Sequence, residues 1–227
     1  MSREIVLDTE TTGLDPLAGH RIIEIGALEL VNHVATGKSF HVYINPEREI
    51  EAGAFAVHGL STEFLSNHLP FEAIADDFLT FIGDDALVIH NARFDMGFIN
   101  AELARLQRPP LPMAQAIDTV QMARRKFPGA QASLDALCRR FEIDNSHRDL
   151  HGALVDADLL ASVYLELIGG RQPDLNLAAN RAQAANPGFE IRRKQRRPRV
   201  HAASAEERAA HEAFIASLAK PIWTAER

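Results

Sequence analysis

One cysteine, one tryptophan and two tyrosines in 227 residues leave little room for several kinds of protein. A lone Cys138 cannot close an internal disulfide, so the fold must be held by a packed core. It falls in a helical pattern with Leu134 and Leu137 and reads as a small core residue. No apolar run approaches the length that spans a bilayer. Met1-Ser2-Arg3-Glu4 leads straight into a strand pattern, which leaves no place for a signal peptide, and a cytoplasmic location is the expectation. Basic residues are short where they would matter most. Residues 1–170 hold 13 Lys and Arg against 25 Asp and Glu, a net −12, whereas 171–227 carries +5. An acidic first part does not look like a strong stand-alone binder of nucleic acid, because Lys and Arg on phosphates supply most nonspecific affinity.

What the chain does have is carboxylates in unusual places. Directly after the apolar run Ile5-Val6-Leu7 come Asp8-Thr9-Glu10-Thr11-Thr12-Gly13. Side chains alternate between the faces of a strand, so Asp8 and Glu10 point the same way. Neighbouring carboxylates repel, and a hard divalent cation between them relieves the repulsion, because oxygen-rich sites suit magnesium and manganese. Ala86-Leu87-Val88-Ile89 reads as another buried strand, followed by His90-Asn91-Ala92-Arg93-Phe94-Asp95 and a helical stretch. Asp95 stands at the start of that helix, where a plain N-cap is the alternative role. His151 precedes an amphipathic pattern through Leu159, Leu160, Val163, Leu165 and Leu167, with Asp156 in its first turns. Four acids thus arrive from three separated segments, each at a junction between elements. His90 stands five residues before Asp95 and His151 five before Asp156, so spacing cannot choose between the two imidazoles.

The pattern predicts strands at 3–9, 21–31, 38–45, 86–90 and 115–119, and helices at 71–82, 96–106, 119–126, 133–141 and 152–168. Three strands followed by strands alternating with helices imply an α/β layered sheet with an antiparallel edge. The length allows one domain of ordinary size plus a tail.

Asp8, Glu10, Asp95, His151 and Asp156 resemble the signature of the DEDD exonuclease superfamily, in the subgroup with a histidine five positions before the last aspartate. More narrowly, the runs DTETTGLDP, RIIEIGALEL, VHGLS, HNARFDMGF, DTVQMAR and HGALVDADLLASVYL resemble the proofreading epsilon subunits of bacterial DNA polymerase III. The resemblance implies a ribonuclease-H-like fold over 1–170, with a mixed five-stranded sheet flanked by helices and the acids gathered at one end. It implies two divalent ions, Mg²⁺ or Mn²⁺, with Asp8 bridging both, Glu10 and Asp156 completing the shell of one, and Asp95 on the side of the other. His151 takes the role of general base. Gly13, Leu14, Val57, His58, Asn91 and Phe94 become contacts of the terminal nucleotide, His58 in a loop. The implied activity is removal of mispaired 3′-terminal nucleotides from DNA as monophosphates. An RNA-trimming relative, or a chain that mainly bridges polymerase and clamp, are the alternatives.

The tail adds expectations about partners. After Gly169-Gly170 the composition turns to Arg, Gln, Asn, Ala and Pro, which reads as a flexible linker over 171–204. Gln172, Leu175 and Leu177, within residues 172–177, resemble a peptide that binds the sliding clamp. The basic run 191–199 reads as a solvated stretch or a contact with DNA or an acidic partner. Helical spacing resumes from Ala205 through Phe214 to Leu218, ahead of Trp223, and residues 205–227 look like a docking peptide. By resemblance its partner is the catalytic alpha subunit of the polymerase, and a small theta-like accessory subunit is a further candidate partner.

Overall fold

The computed structural model describes residues 2–146, 151–170 and 202–218. The chain divides into two compact units, Met1–Leu175 and Asn176–Arg227. The first is built on a five-stranded sheet in the order β3-β2-β1-β4-β5. Its strands are β1 (Arg3–Thr11), β2 (Ile22–Val31), β3 (Val34–Tyr43), β4 (Ala86–Ile89) and β5 (Ala116–Asp118). Its α-helices are α1 (Ala52–His58), α2 (Thr62–Leu65), α3 (Phe71–Ile82), α4 (Ala92–Arg105), α5 (Thr119–Lys126), α6 (Leu134–Arg140) and α7 (Ala153–Leu167). The pairing is antiparallel among β1, β2 and β3 and parallel among β1, β4 and β5, the mixed sheet that the pattern predicts.

The apolar run of β1 is central because it is buried on both faces. Ile5 and Leu7 join a core with Phe71, Phe78, Met96 and Ile99 from α3 and α4. Val6 joins a second core with Leu137, Leu160 and Val163 from α6 and α7. Two helical layers therefore sandwich the sheet, and the alternation that separates Val6 from its neighbours continues into Asp8, Thr9 and Glu10. Asp8 and Glu10 emerge on the α7 side and Thr9 on the α4 side. No helix among the described residues is long and apolar enough to cross a membrane.

Several boundaries differ from the sequence expectation, each for a local reason. β3 begins at Val34 rather than 38, because Asn32 and His33 both take left-handed backbone angles (φ 51° and 65°) and turn the chain in two residues. Such turns match the twist of paired strands, so β2 and β3 zip from the corner. α4 begins at Ala92 rather than 96, behind a left-handed Asn91 (φ 67°), which puts Asp95 inside the first turn. α1 and α2 were not expected at all. α1 has only seven residues and no side-chain cap, so it carries little helical signal of its own.

In the second unit, α8 (Ala205–Ser217) lies where helical spacing resumes. Ser204 Oγ accepts from the Glu207 backbone N–H at 3.1 Å, and Glu207 Oε2 accepts from the Ser204 N–H at 2.9 Å. This reciprocal cap satisfies two otherwise orphaned donors. Phe214 stands 59% exposed on this helix. Gln172, Leu175, Leu177, the run 191–199 and Trp223 lie outside the described residues.

Candidate active site

The carboxyl ends of β1 and β4 face one cleft of about 300 Å³, lined by Asp8, Glu10, His90, Phe94, Asp95, His151 and Asp156 among others. Asp135, at the start of α6, also lines it and escaped the sequence reading. Five carboxylates thus share a small space whose described lining holds no lysine or arginine. Packing so many acids together without cations is unfavourable in itself, and the donor set is of the oxygen-rich kind that holds hard divalent ions.

Two helices bring the distant acids to the end of β1. Asp156 comes from the first turn of α7, and its approach depends on Gly26. Gly26 pairs with Asp8 across the sheet. A Cβ there would lie 2.2 Å from Leu154 N and 2.3 Å from Ala153 C, both backbone atoms of α7. A glycine inside an apolar strand marks such a close approach, and the run Ile22-Ile23-Glu24-Ile25-Gly26-Ala27 carried that signal unread. Asp95 arrives from α4 and is 3% exposed. Its Oδ1 accepts from the Thr9 N–H at 3.1 Å and the Thr9 hydroxyl at 2.7 Å. Burial pushes its carboxyl up to about 7; the bonds from Thr9 oppose the shift, and the charge of Asp118 adds to it.

Glu10, His151 and Asp156 offer ligand atoms that lie within 4.8 Å of one another. His151 Nδ1 sits 3.1 Å from Asp156 Oδ2, while its side chain is nearly half exposed. A carboxylate on one ring nitrogen fixes the tautomer and orients the ring. His90 also lines the cleft, but its Nδ1 contacts the Thr119 hydroxyl at 2.9 Å, and that hydroxyl donates to the Ile89 carbonyl. The two imidazoles that spacing could not separate differ in this partner, a carboxylate for His151 and a neutral hydroxyl for His90.

The six residues expected at the terminal nucleotide are dispersed. Phe94 lines the cleft, and its ring packs 4.9 Å from that of Phe98. Leu14 is 84% exposed and Val57 is also exposed. Asn91 opens onto a neighbouring groove. Gly13 is not a surface residue: it is buried, and a Cβ on it would meet the His20 ring at 2.3 Å. His58 is not in a loop but ends α1 and is 5% exposed. Its Nδ1 accepts from the Leu60 N–H at 3.0 Å, so the neutral ring carries its proton on Nε2, which is buried without a partner. Burial, with a smaller contribution from His151, lowers the His58 pKa from its ordinary value.

His20, to which the sequence assigned no role, ties this region together. Its Nδ1 lies 3.1 Å from the Thr12 hydroxyl and its Nε2 3.3 Å from Glu51 Oε1, at the start of α1. At the other end of α1, the Val57 carbonyl accepts from the His151 N–H at 3.2 Å. α1 therefore links the loop after Glu10 to the loop that carries His151.

The exonuclease family model of the RNase T type matches residues 5–164. A Rickettsia felis protein named DNA polymerase III subunit epsilon is 51% identical, with 96% of this chain and 97% of that protein covered. Proteins of the same name from Salmonella typhimurium and Escherichia coli K12 are 47% and 46% identical, each over 99% of this chain and 98% of theirs. Among solved structures, exonuclease X in complex with 5′-overhanging duplex DNA superposes with a TM-score of 0.58 at 24% identity, covering 73% of this chain and 90% of that one. The nuclease domain of 3′hExo, a DEDDh family member bound to rAMP, gives 0.64 at 19%, covering 74% and 92%. These two likenesses speak to the fold. The family match and the near full-length relatives leave one assignment: the chain belongs to the exonuclease family of the RNase T type, among the DNA polymerase III epsilon subunits.

Proposed function

We propose that this chain is the proofreading 3′→5′ exonuclease of a bacterial replicative DNA polymerase, acting in the cytoplasm on frayed DNA 3′ ends. The observation that carries the reading is the convergence of Asp8, Glu10, Asp95 and Asp156 with a carboxylate-paired His151 in one cleft. The donor set fits two divalent ions, Mg²⁺ or Mn²⁺, held by those four acids. When bound, such ions supply a clamp for the attacking and leaving oxygens of an in-line displacement.

The remaining chemistry belongs to the side chains. His151 accepts the proton of the attacking water at Nε2, and Asp156 on Nδ1 holds the ring and stabilises the imidazolium. The water oxygen bonds to phosphorus as the bond to the 3′ oxygen of the preceding nucleotide breaks, that oxygen takes a proton from solvent to become the new 3′ hydroxyl, and a nucleoside 5′-monophosphate leaves. Phe94, Leu14 and Val57 offer apolar surface to a base without reading its identity. His58 Nε2–H is a buried donor that a substrate oxygen would satisfy, and Gly13 and Asn91 shape the adjacent backbone. Selectivity for errors needs no base recognition, since a mispaired end leaves the stack at lower cost.

The tail completes the proposal. Residues 171–204 serve as linker, with Gln172, Leu175 and Leu177 engaging the sliding clamp. Residues 205–227 dock on the polymerase alpha subunit through Phe214 and Trp223, aromatic anchors of the kind that dominate such interfaces. Digestion of 3′-labelled primer–templates tests the enzymatic reading, comparing matched with mismatched ends and DNA with RNA, in Mg²⁺ and then EDTA. Metal-dependent release of deoxynucleoside monophosphates, faster from the mismatched DNA end, supports it. Preference for RNA makes the chain a trimming enzyme, and inactivity in Mg²⁺ and again in Mn²⁺ leaves only a bridging role.

A further inference from the structure

Two grooves flank the catalytic cleft, and their charges differ. One, of about 890 Å³, shares Asp135 and His151 with the cleft, and its other charged residues among those described are Glu142, Asp144 and Arg139. The other, of about 610 Å³, shares His90 and Ser133 with the cleft and contains Arg93, Arg124, Gln121 and Asp118. Asp118 there is already engaged: its Oδ1 accepts from the N–H groups of Val120 at 2.9 Å and Gln121 at 3.2 Å, capping α5.

The two arginines of the second groove stand out from most other cations of the domain. Arg3 pairs with Glu29 and Asp85, Arg21 with Glu102, Arg108 with Asp76 and Lys38 with Glu29. Lys126 is spent on the Glu166 and Leu167 carbonyls, and Arg140 lies over the Phe127 ring. Arg93 and Arg124 make no ion pair or hydrogen bond among the described residues. Both are exposed, and in a domain with a net charge of −12 they set two guanidiniums together in one groove beside the cleft.

We infer that the groove of Arg93 and Arg124 is the track of the single strand, binding backbone phosphates upstream of the nucleotide being removed. The inference rests on the exonuclease reading above and adds to it the route and polarity of the substrate. The strand leaves the cleft between His90 and Ser133, toward α5, and not past His151 toward the acidic groove. Guanidiniums recognise phosphate oxygens in a planar, two-pronged fashion, and their charge acts without regard to sequence. Gln121 and Gln131 supply neutral partners in the same groove.

The test is salt dependence. For a single strand, each phosphate neutralised contributes a slope of about −0.7 to log affinity against log salt. The full chain is assayed for kcat/KM on a short oligothymidylate and on a thymidine dinucleotide over a salt series. The Arg93→Gln/Arg124→Gln double variant should flatten the oligonucleotide slope by about 1.4 and lower the ratio of oligonucleotide to dinucleotide kcat/KM. A misfolded fraction lowers both rates together and leaves that ratio untouched. The Arg93→Lys/Arg124→Lys variant keeps the charge and should restore the slope. An unchanged slope in the glutamine variant, or a flattened one in Arg139→Gln instead, overturns the track while the exonuclease reading stands. A wild-type chain that releases no monophosphate from either substrate overturns both.

Discussion

Gly26→Ala adds one methyl group at the point where the sheet and α7 meet, and its effect can be worked out from the geometry. The new Cβ would sit 2.2 Å from Leu154 N, 2.3 Å from Ala153 C and 2.5 Å from Ala153 O. Comfortable carbon contacts need about 3.5 Å or more, so the start of α7 must withdraw by more than about 1 Å. These are backbone atoms, and no side chain can swing aside to absorb the clash. Overpacking of this kind costs about 1–3 kcal/mol of stability. The larger consequence is catalytic. Asp156 lies three residues after Ala153, and Asp8 pairs with Gly26 itself, so the shift opens the distance between two acids that share the cleft. A displacement near 1 Å can cost about 100-fold in rate. Single-turnover digestion of a 3′-labelled oligonucleotide in Mg²⁺, with a thermal melt alongside, separates the two effects. Gly97→Ala, in α4 with nothing within 4 Å of the added Cβ, is the control. It should melt higher, since replacing a mid-helix glycine gains roughly 0.5–1 kcal/mol. Near-wild-type turnover in Gly26→Ala would refute the idea that contact of α7 with β2 sets the position of Asp156.

Further consequences can be checked with equally simple variants. His151→Ala should cut turnover by about 10²–10⁴-fold with the Mg²⁺ dependence unchanged; a marked shift of that dependence would make His151 a ligand and not a base. Glu102, 2% exposed, holds Arg21 by two bonds of 2.6 and 2.9 Å. Glu102→Ala leaves the guanidinium only the Pro46 carbonyl at 3.3 Å and the exposed Glu47 at 3.8 Å, and should cost about 3 kcal/mol in urea melts, a change under 1 kcal/mol being incompatible with this role. His58 is held neutral by burial, with a pKa below its ordinary 6.5, so its contribution to stability is present above that value and is lost as pH falls through the folded-state pKa. His58→Asn should therefore lose Tm less steeply than wild type between neutral and mildly acidic pH, and parallel curves would count against the assignment. Removal of 205–227 should abolish co-purification with the polymerase subunit and leave nuclease activity in place; retained binding would locate the docking surface elsewhere.

Much of this protein is local information. The alternation of Asp8, Thr9 and Glu10 in a strand, and the acids at the starts of α4 and α7, depend on neighbours within one or two turns, so the sequence alone determined them. The same holds for most of the sheet, whose central strands are short apolar runs that no helix period fits. Tertiary structure alone decided how those pieces act on one another. Spacing treats His90 and His151 alike, and only the fold sets Thr119 beside one and Asp156 beside the other. Arg21 and Glu102 are 81 positions apart, and Thr9 and Asp95 are 86 apart; no pattern along the chain relates them. α1 lacked a signal because seven residues cannot stabilise a helix by themselves, and it forms where His20, Glu51 and Val57 give it ends to join. Even Gly26, visible as a glycine in an apolar strand, acquires its meaning only when α7 arrives over it. Propensity and alternation are properties of a few adjacent residues, whereas close approach, burial and shared charge belong to segments the chain brings together from far apart.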